Sequence, residues 1–108
     1  MITVINGKRY NTETADRIYE HWNGCNSGDF RYRTKTLYRT AKGAWFIHHV
    51  GGAMSDMSVP VGSNGRGGSE RIEPVDNDDA FGLLQAHSDE SEAQEAIDKH
   101  FAERVVDA

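Results

Sequence analysis

Gly62-Ser63-Asn64-Gly65-Arg66-Gly67-Gly68-Ser69 is the stretch whose residue types and spacing come nearest to holding a ligand. It approaches G-x-x-x-x-G-K-[ST], the loop that wraps phosphates in backbone N–H groups. The lysine that reaches the outer phosphates is missing, and Gly68 stands in its place. Such a loop must also open a helix, whose first amides hold the anion. Here Ser69-Glu70-Arg71-Ile72-Glu73-Pro74 follows, which reads extended and brings two carboxylates that repel phosphate. The segment is expected to be a mobile surface loop, with Arg66 at its tip as a contact for a partner.

The histidines and the cysteine offer metal or nucleophilic chemistry. His48 and His49 are adjacent on an expected strand, so they point to opposite faces and do not chelate one ion together. His21 and Cys25 are four apart, but Gly24 interrupts the segment between them, and no further ligands have zinc-site spacing. Cys25 as a nucleophile needs a base and an orienting group that spacing does not supply. No G-x-S-x-G elbow is present. The residues therefore point to no catalytic group, no metal ligand and no cofactor, and the chain is read as a non-enzyme.

Charge is the stronger signal. The chain has 108 residues and a formal net charge of −5. Through Val50, eight basic residues face four acidic ones, a net +4; from Gly51 onward four basic residues face thirteen acidic ones, a net −9. Arg31, Arg33, Lys35 and Arg39 sit beside Trp45, Tyr32 and Tyr38, the mixture of cations and rings that binds single-stranded nucleic acid. The plainer account of that face is arginine stems covering Leu37 and Ile47. Asp76, Asp78 and Asp79, then Asp89, Glu90 and Glu92, suit the starts of two helices. Helix starts do not account for Glu95, Asp98, Glu103 and Asp107, which face only Lys99 and Arg104. An acidic surface that docks on a basic groove accounts for them.

These residues need elements to position them. At 108 residues the chain is expected to be one domain, residues 1–108, burying roughly two-thirds of its unfolded surface. No apolar run is long enough to span a membrane. MITVINGKRY lacks the layout of a secretory signal, and a single cysteine excludes an internal disulfide, so the expected location is the cytoplasm. ITVINGKRY predicts a hairpin turning at Asn6-Gly7. NTETADRIYEHWNG predicts a helix capped at Asn11 or Thr12, because Ala15, Ile18, Tyr19 and Trp22 fall on one helical stripe. FRYRTKTLYRT and AWFIHHV predict paired strands with Thr40 opposite Ala44. Their better core face carries Tyr32, Thr34, Thr36, Tyr38, Phe46 and His48.

A long loop over 51–69 follows, then SERIEPV as a strand that Pro74 restricts to an edge or an end. DNDDAFGLLQAH and SEAQEAIDKHFAERV predict two helices, the second capped at Ser88 or Ser91. The predicted fold is α+β: a small antiparallel sheet with an N-terminal helix and a C-terminal helix pair on one face.

The blocks Ile5-Asn6-Gly7-Lys8-Arg9-Tyr10-Asn11-Thr12-Glu13-Thr14-Ala15, Gly28-Asp29-Phe30, Leu37-Tyr38-Arg39-Thr40, Gly43-Ala44-Trp45-Phe46, Gly51-Gly52-Ala53-Met54-Ser55 and Ile72-Glu73-Pro74 occur in that order. In this the chain resembles a family of short proteins from bacteria, phages and mobile elements, some of which act as anti-CRISPR proteins. The resemblance implies a small, acidic, non-catalytic inhibitor in the bacterial host cytoplasm. Its implied partner is a CRISPR effector, with a multi-subunit type I surveillance complex preferred, and neither a membrane nor free nucleic acid is an expected partner. The expected protein-binding residues are Asp76, Asp78, Asp79, Glu90, Glu92, Glu95 and Asp98. The alternative is a nucleic-acid-binding accessory protein working through Arg31, Arg33, Lys35, Arg39 and Trp45.

Overall fold

Asn6 and Gly7 both have positive φ, 51° and 76°. A two-residue reversal of that kind matches the twist of the strands it joins. Strand β1 (Ile2–Ile5) accordingly pairs antiparallel with β2 (Lys8–Asn11), Ile5 opposite Lys8. The computed structural model of the chain describes residues 1–63 and 65–108.

The expected helix after this hairpin is instead a strand, β3 (Asp16–Trp22). It pairs with β4 (Arg33–Arg39), and the register shifts between Arg17 and Tyr19. That β-bulge explains the misleading stripe. An extra residue at Ile18 breaks the two-residue alternation, so Ile18 and Tyr19 both reach the core side and imitate the i+3, i+4 pair of a helix. The ring-rich, β-branched composition of the segment then gains a full ladder against β4. Asn11 caps no helix; its Oδ1 accepts a bond from the Glu13 amide at 2.9 Å.

Strand β5 (Trp45–Gly51) pairs with β4 in the expected register, Arg39 opposite Trp45, and the Thr40 amide donates to the Ala44 carbonyl at 2.8 Å. Strand β6 (Val59–Val61) pairs with β7 (Gly65–Gly67) in a small separate ladder, where the sequence predicted only loop. Asn64, inside the glycine-rich stretch, lies outside the described residues. Strand β8 (Ser69–Val75) then joins β5, giving a four-stranded antiparallel sheet ordered β3-β4-β5-β8. Pro74 sits in an edge strand, as expected, where its missing N–H is tolerated.

Helices α1 (Asn77–Ala86) and α2 (Ser91–His100) complete the chain, followed by a 3₁₀ turn at Ala102–Arg104. Asp76 caps α1 by accepting from the Asp79 amide at 2.8 Å. The cap position of α2 is Glu90, not Ser88 or Ser91, and its side chain makes no cap bond. Both helices pack on one face of the sheet. Ala80, Phe81, Leu84, Ala93, Ala96, Ile97 and Phe101 close over Tyr19, Leu37, Trp45 and Ile47. Leu37 and Leu84 are wholly buried there.

The larger core therefore lies on the face that the sequence ranked second. The expected core face carries a smaller cluster of Tyr10, Phe46 and Ile72, with Ile5, Ala15 and Tyr38 packed around it. Alternation assigns the residues of β4 and β5 to their faces correctly, but β4 begins only at Arg33, so Phe30, Arg31 and Tyr32, expected in the strand, lie in the turn before it. It does not say which face the helices choose, and the face with more hydrocarbon at its centre receives them.

Candidate functional site

The acidic residues nominated from the sequence divide into two groups. Four are engaged within the chain. Asp76 caps α1, Asp78 pairs with Arg104 at 2.8 Å, Glu92 pairs with Arg17 at 2.8 Å, and Glu90 turns inward toward β3. Asp79, Glu95 and Asp98 are exposed and have no ion pair among the described residues. The buried stripe Ala93, Ala96 and Ile97 fixes this orientation, because seating it on the sheet turns the rest of α2 outward.

The basic-aromatic strand face is not an open platform. The helices cover it. Trp45 is 3% exposed, its Nε1 donates to Asn77 Oδ1 at 2.7 Å, and its ring stacks on Phe101 at 5.4 Å. Arg39 lies over the same ring at 5.1 Å and meets His100 Nδ1 at 3.2 Å. Arg33 donates to Asp56 at 2.6 Å, to His49 Nδ1 at 2.8 Å and to the Thr34 carbonyl at 2.7 Å. Its bond to the Asp56 carboxylate holds that acid below the usual range. Arg31 is exposed and pairs with Asp29 at 3.4 Å. Lys35 has no ion pair among the described residues. Of the nominated set, only Arg31 and Lys35 remain available, and Trp45 offers no ring face to a base.

Arg66 turns back onto its own hairpin, donating to Ser58 Oγ at 2.9 Å and to the Ser58 carbonyl at 3.1 Å. The glycines nearby serve close packing. A Cβ on Gly52 would stand 2.6 Å from the Phe30 carbonyl oxygen, and one on Gly68 would collide with the Gly51 carbonyl. The first approach joins the loop before β4 to the segment after β5, the second joins the end of β5 to the residue before β8, and both need bare backbone.

His48 and His49 point to opposite faces, as alternation requires. His48 Nε2 meets Glu70 at 2.8 Å, and His49 Nε2 meets Glu73 at 2.8 Å. Arg33 donates to His49 Nδ1, so Nε2 carries the proton that goes to Glu73. Burial pushes the His49 pKa down and favours this neutral tautomer. Cys25 lines a shallow cavity of about 260 Å³ with Glu20, Trp22 and Thr34, on the opposite side of β3 from His21.

The constellation that sequence reasoning missed is His21, His87 and Glu90. One ligand atom from each lies within 4.8 Å of the others. Glu90 Oε2 stands 3.2 Å from His21 Nδ1 and 3.7 Å from His87 Nδ1, and the Tyr19 hydroxyl donates to it at 2.5 Å. The two imidazoles stack, centroids 3.8 Å apart and planes 15° apart. Burial, and then the neighbouring His21, push the His87 pKa down. The Tyr19 bond holds the Glu90 carboxyl down, while burial, and then Glu90, push the Tyr19 phenol up. The only local signal was His87-x-x-Glu90, bridging the turn between the helices. His21 is far off in sequence, and the helix expected over its segment hid which way it points.

The group opens on a polar cavity of about 450 Å³ whose lining includes His21, His87, Arg31, Arg33, Lys35 and Asp56. No family model matches this chain, and neither does any curated protein or solved structure. No helix among the described residues is long and apolar enough to cross a membrane.

Proposed function

We propose that this chain is a non-catalytic, protein-binding inhibitor: an anti-CRISPR protein that docks an acidic helical face on the nucleic-acid channel of a CRISPR effector, a multi-subunit type I complex being preferred. The observation that carries this reading is charge left over after folding. From Asp76 to the end, ten acidic residues accompany only Lys99 and Arg104, a net −8. Asp79, Glu95 and Asp98 are exposed and unpaired among the described residues. Unneutralised carboxylates on a rigid helix steer a protein toward a cationic groove and set its register there. The resemblance of the sequence blocks to short proteins of phages and mobile elements points to the same class of partner. The working face is narrower than the seven residues named from sequence, and rests on Glu95 and Asp98, three apart on α2.

The test is a pull-down of purified type I effector complex by the immobilised chain, with Glu95→Lys/Asp98→Lys as the variant. Capture should fall at least about tenfold on reversal, the size of effect expected when charge pairs across an interface turn repulsive. Capture that is unchanged by reversal overturns the reading, as does tight binding of free DNA by the wild-type chain at low salt.

A further inference from the structure

We infer that Tyr19, His21, His87 and Glu90 form a binding site for a divalent transition metal of the zinc class, with His21 Nδ1, His87 Nδ1 and a Glu90 carboxylate oxygen as ligands. Four features of the group carry this.

The first is spacing. Zinc bonds to imidazole nitrogen and carboxylate oxygen are about 2.0–2.2 Å long, which sets tetrahedral ligand atoms about 3.3–3.5 Å apart. The separations of Glu90 Oε2 from the two nitrogens, 3.2 and 3.7 Å, bracket that edge length.

The second is composition. Two imidazoles with one carboxylate is a donor set that suits borderline divalent ions. Hard cations such as magnesium prefer oxygen alone.

The third is what Glu90 does not do. It occupies the N-cap position of α2, where a side chain normally bonds the first free amides, and it makes no cap bond. Its Oε2 instead meets three polar groups at once: the Tyr19 hydroxyl and both Nδ1 atoms. Glu90 thus turns its carboxylate away from the helix start and toward the two rings.

The fourth is support. Tyr19 is wholly buried and rises from the core to hydrogen-bond the proposed carboxylate ligand. It acts as the outer partner that orients a ligand, which metal sites ordinarily require.

Coordination requires the stacked rings to open by rotation about their side-chain bonds, and the adjoining 450 Å³ cavity gives them room. The same cavity leaves the fourth coordination position to solvent. The site links β3 to the turn between the helices, so an ion there ties both ends of the main core together.

The experiment titrates the full chain with Co²⁺ and then Zn²⁺, following visible absorption and the thermal midpoint. The wild-type chain should bind one Co²⁺ with the intense d–d bands of a four-coordinate ion, and Zn²⁺ should displace it and raise the midpoint. His21→Ala and His87→Ala should each abolish the bands, and Glu90→Gln should weaken binding. Tyr19→Phe, which keeps the ring in the core, should weaken zinc affinity about 10–100-fold. His48→Ala, on the opposite sheet face, should bind as wild type. Far-UV circular dichroism checks each variant's fold. Should a variant not fold, the wild-type titration decides alone. Absence of the bands in the wild-type chain overturns the site, and so does zinc affinity that survives His21→Ala/His87→Ala intact.

Discussion

The two faces of the four-stranded sheet are built from the same strands and treated very differently. One is roofed by two helices and holds the larger core; the other carries only Tyr10, Phe46 and Ile72 with a few partly buried neighbours. Polar groups follow the same division. Arg33, His49, Glu73, His21 and Glu90 form bonded chains at the rim of the helix-covered face. Across the sheet, His48 meets only Glu70 among the described residues. Polar side chains from distant parts of the chain meet where a second layer closes over the rim of a sheet face, and that layer is encoded far along the chain.

Truncations test the comparison most severely. Leu84→Ala should cost about 2–5 kcal/mol, since a wholly buried leucine between helix and sheet leaves a cavity the strands are slow to fill. Tyr10→Ala, on the lesser face, should cost about 1.5–3 kcal/mol, near the simple transfer value. Urea unfolding measures both, and a larger loss at Tyr10 would reverse the ranking of the two cores.

A smaller effect comes from pH. Burial pushes His49, His87 and His100 below their ordinary values, so between about pH 6.5 and their folded-state values the unfolded chain binds more protons. Stability is therefore full above about pH 7 and declines as the medium is acidified through that window. His49→Gln should flatten the decline in thermal midpoint between pH 7 and pH 5. An unchanged slope would assign the proton uptake to the other two rings.

The smallest effects lie on the helix exteriors. Asp76→Ala removes a side-chain cap and should cost about 0.5–2 kcal/mol. Arg17→Ala removes a half-exposed pair with Glu92 and should cost no more than about 1 kcal/mol. Chemical denaturation of the two variants side by side separates a local backbone bond from a screened charge pair.

Much of this was legible in the residues. Asn6-Gly7 announced the hairpin, Thr40 opposite Ala44 fixed the central register, and Pro74 marked an edge. What failed did so for definite reasons. A bulge at Ile18 gave a strand the apolar spacing of a helix. The wrong element then concealed that His21 faces the turn carrying His87 and Glu90, so no spacing argument could join them. The acidic stretch was plain from composition, but pairing with Arg17, Arg104 and Tyr19 withdraws part of it from solvent. Trp45 read as a stacking platform because strand alternation is silent about a helical roof.

Pro74 and the Ile18 bulge have one more effect. β8 and β3 are the outer strands of the sheet, and each carries one of these irregularities. Proline presents no donor to an incoming strand, and the bulge puts its would-be partner out of step. Neither rim of this sheet is a clean template for another copy of the chain, so edge-to-edge pairing of the four-stranded sheet is disfavoured by the same two residues that shape its borders.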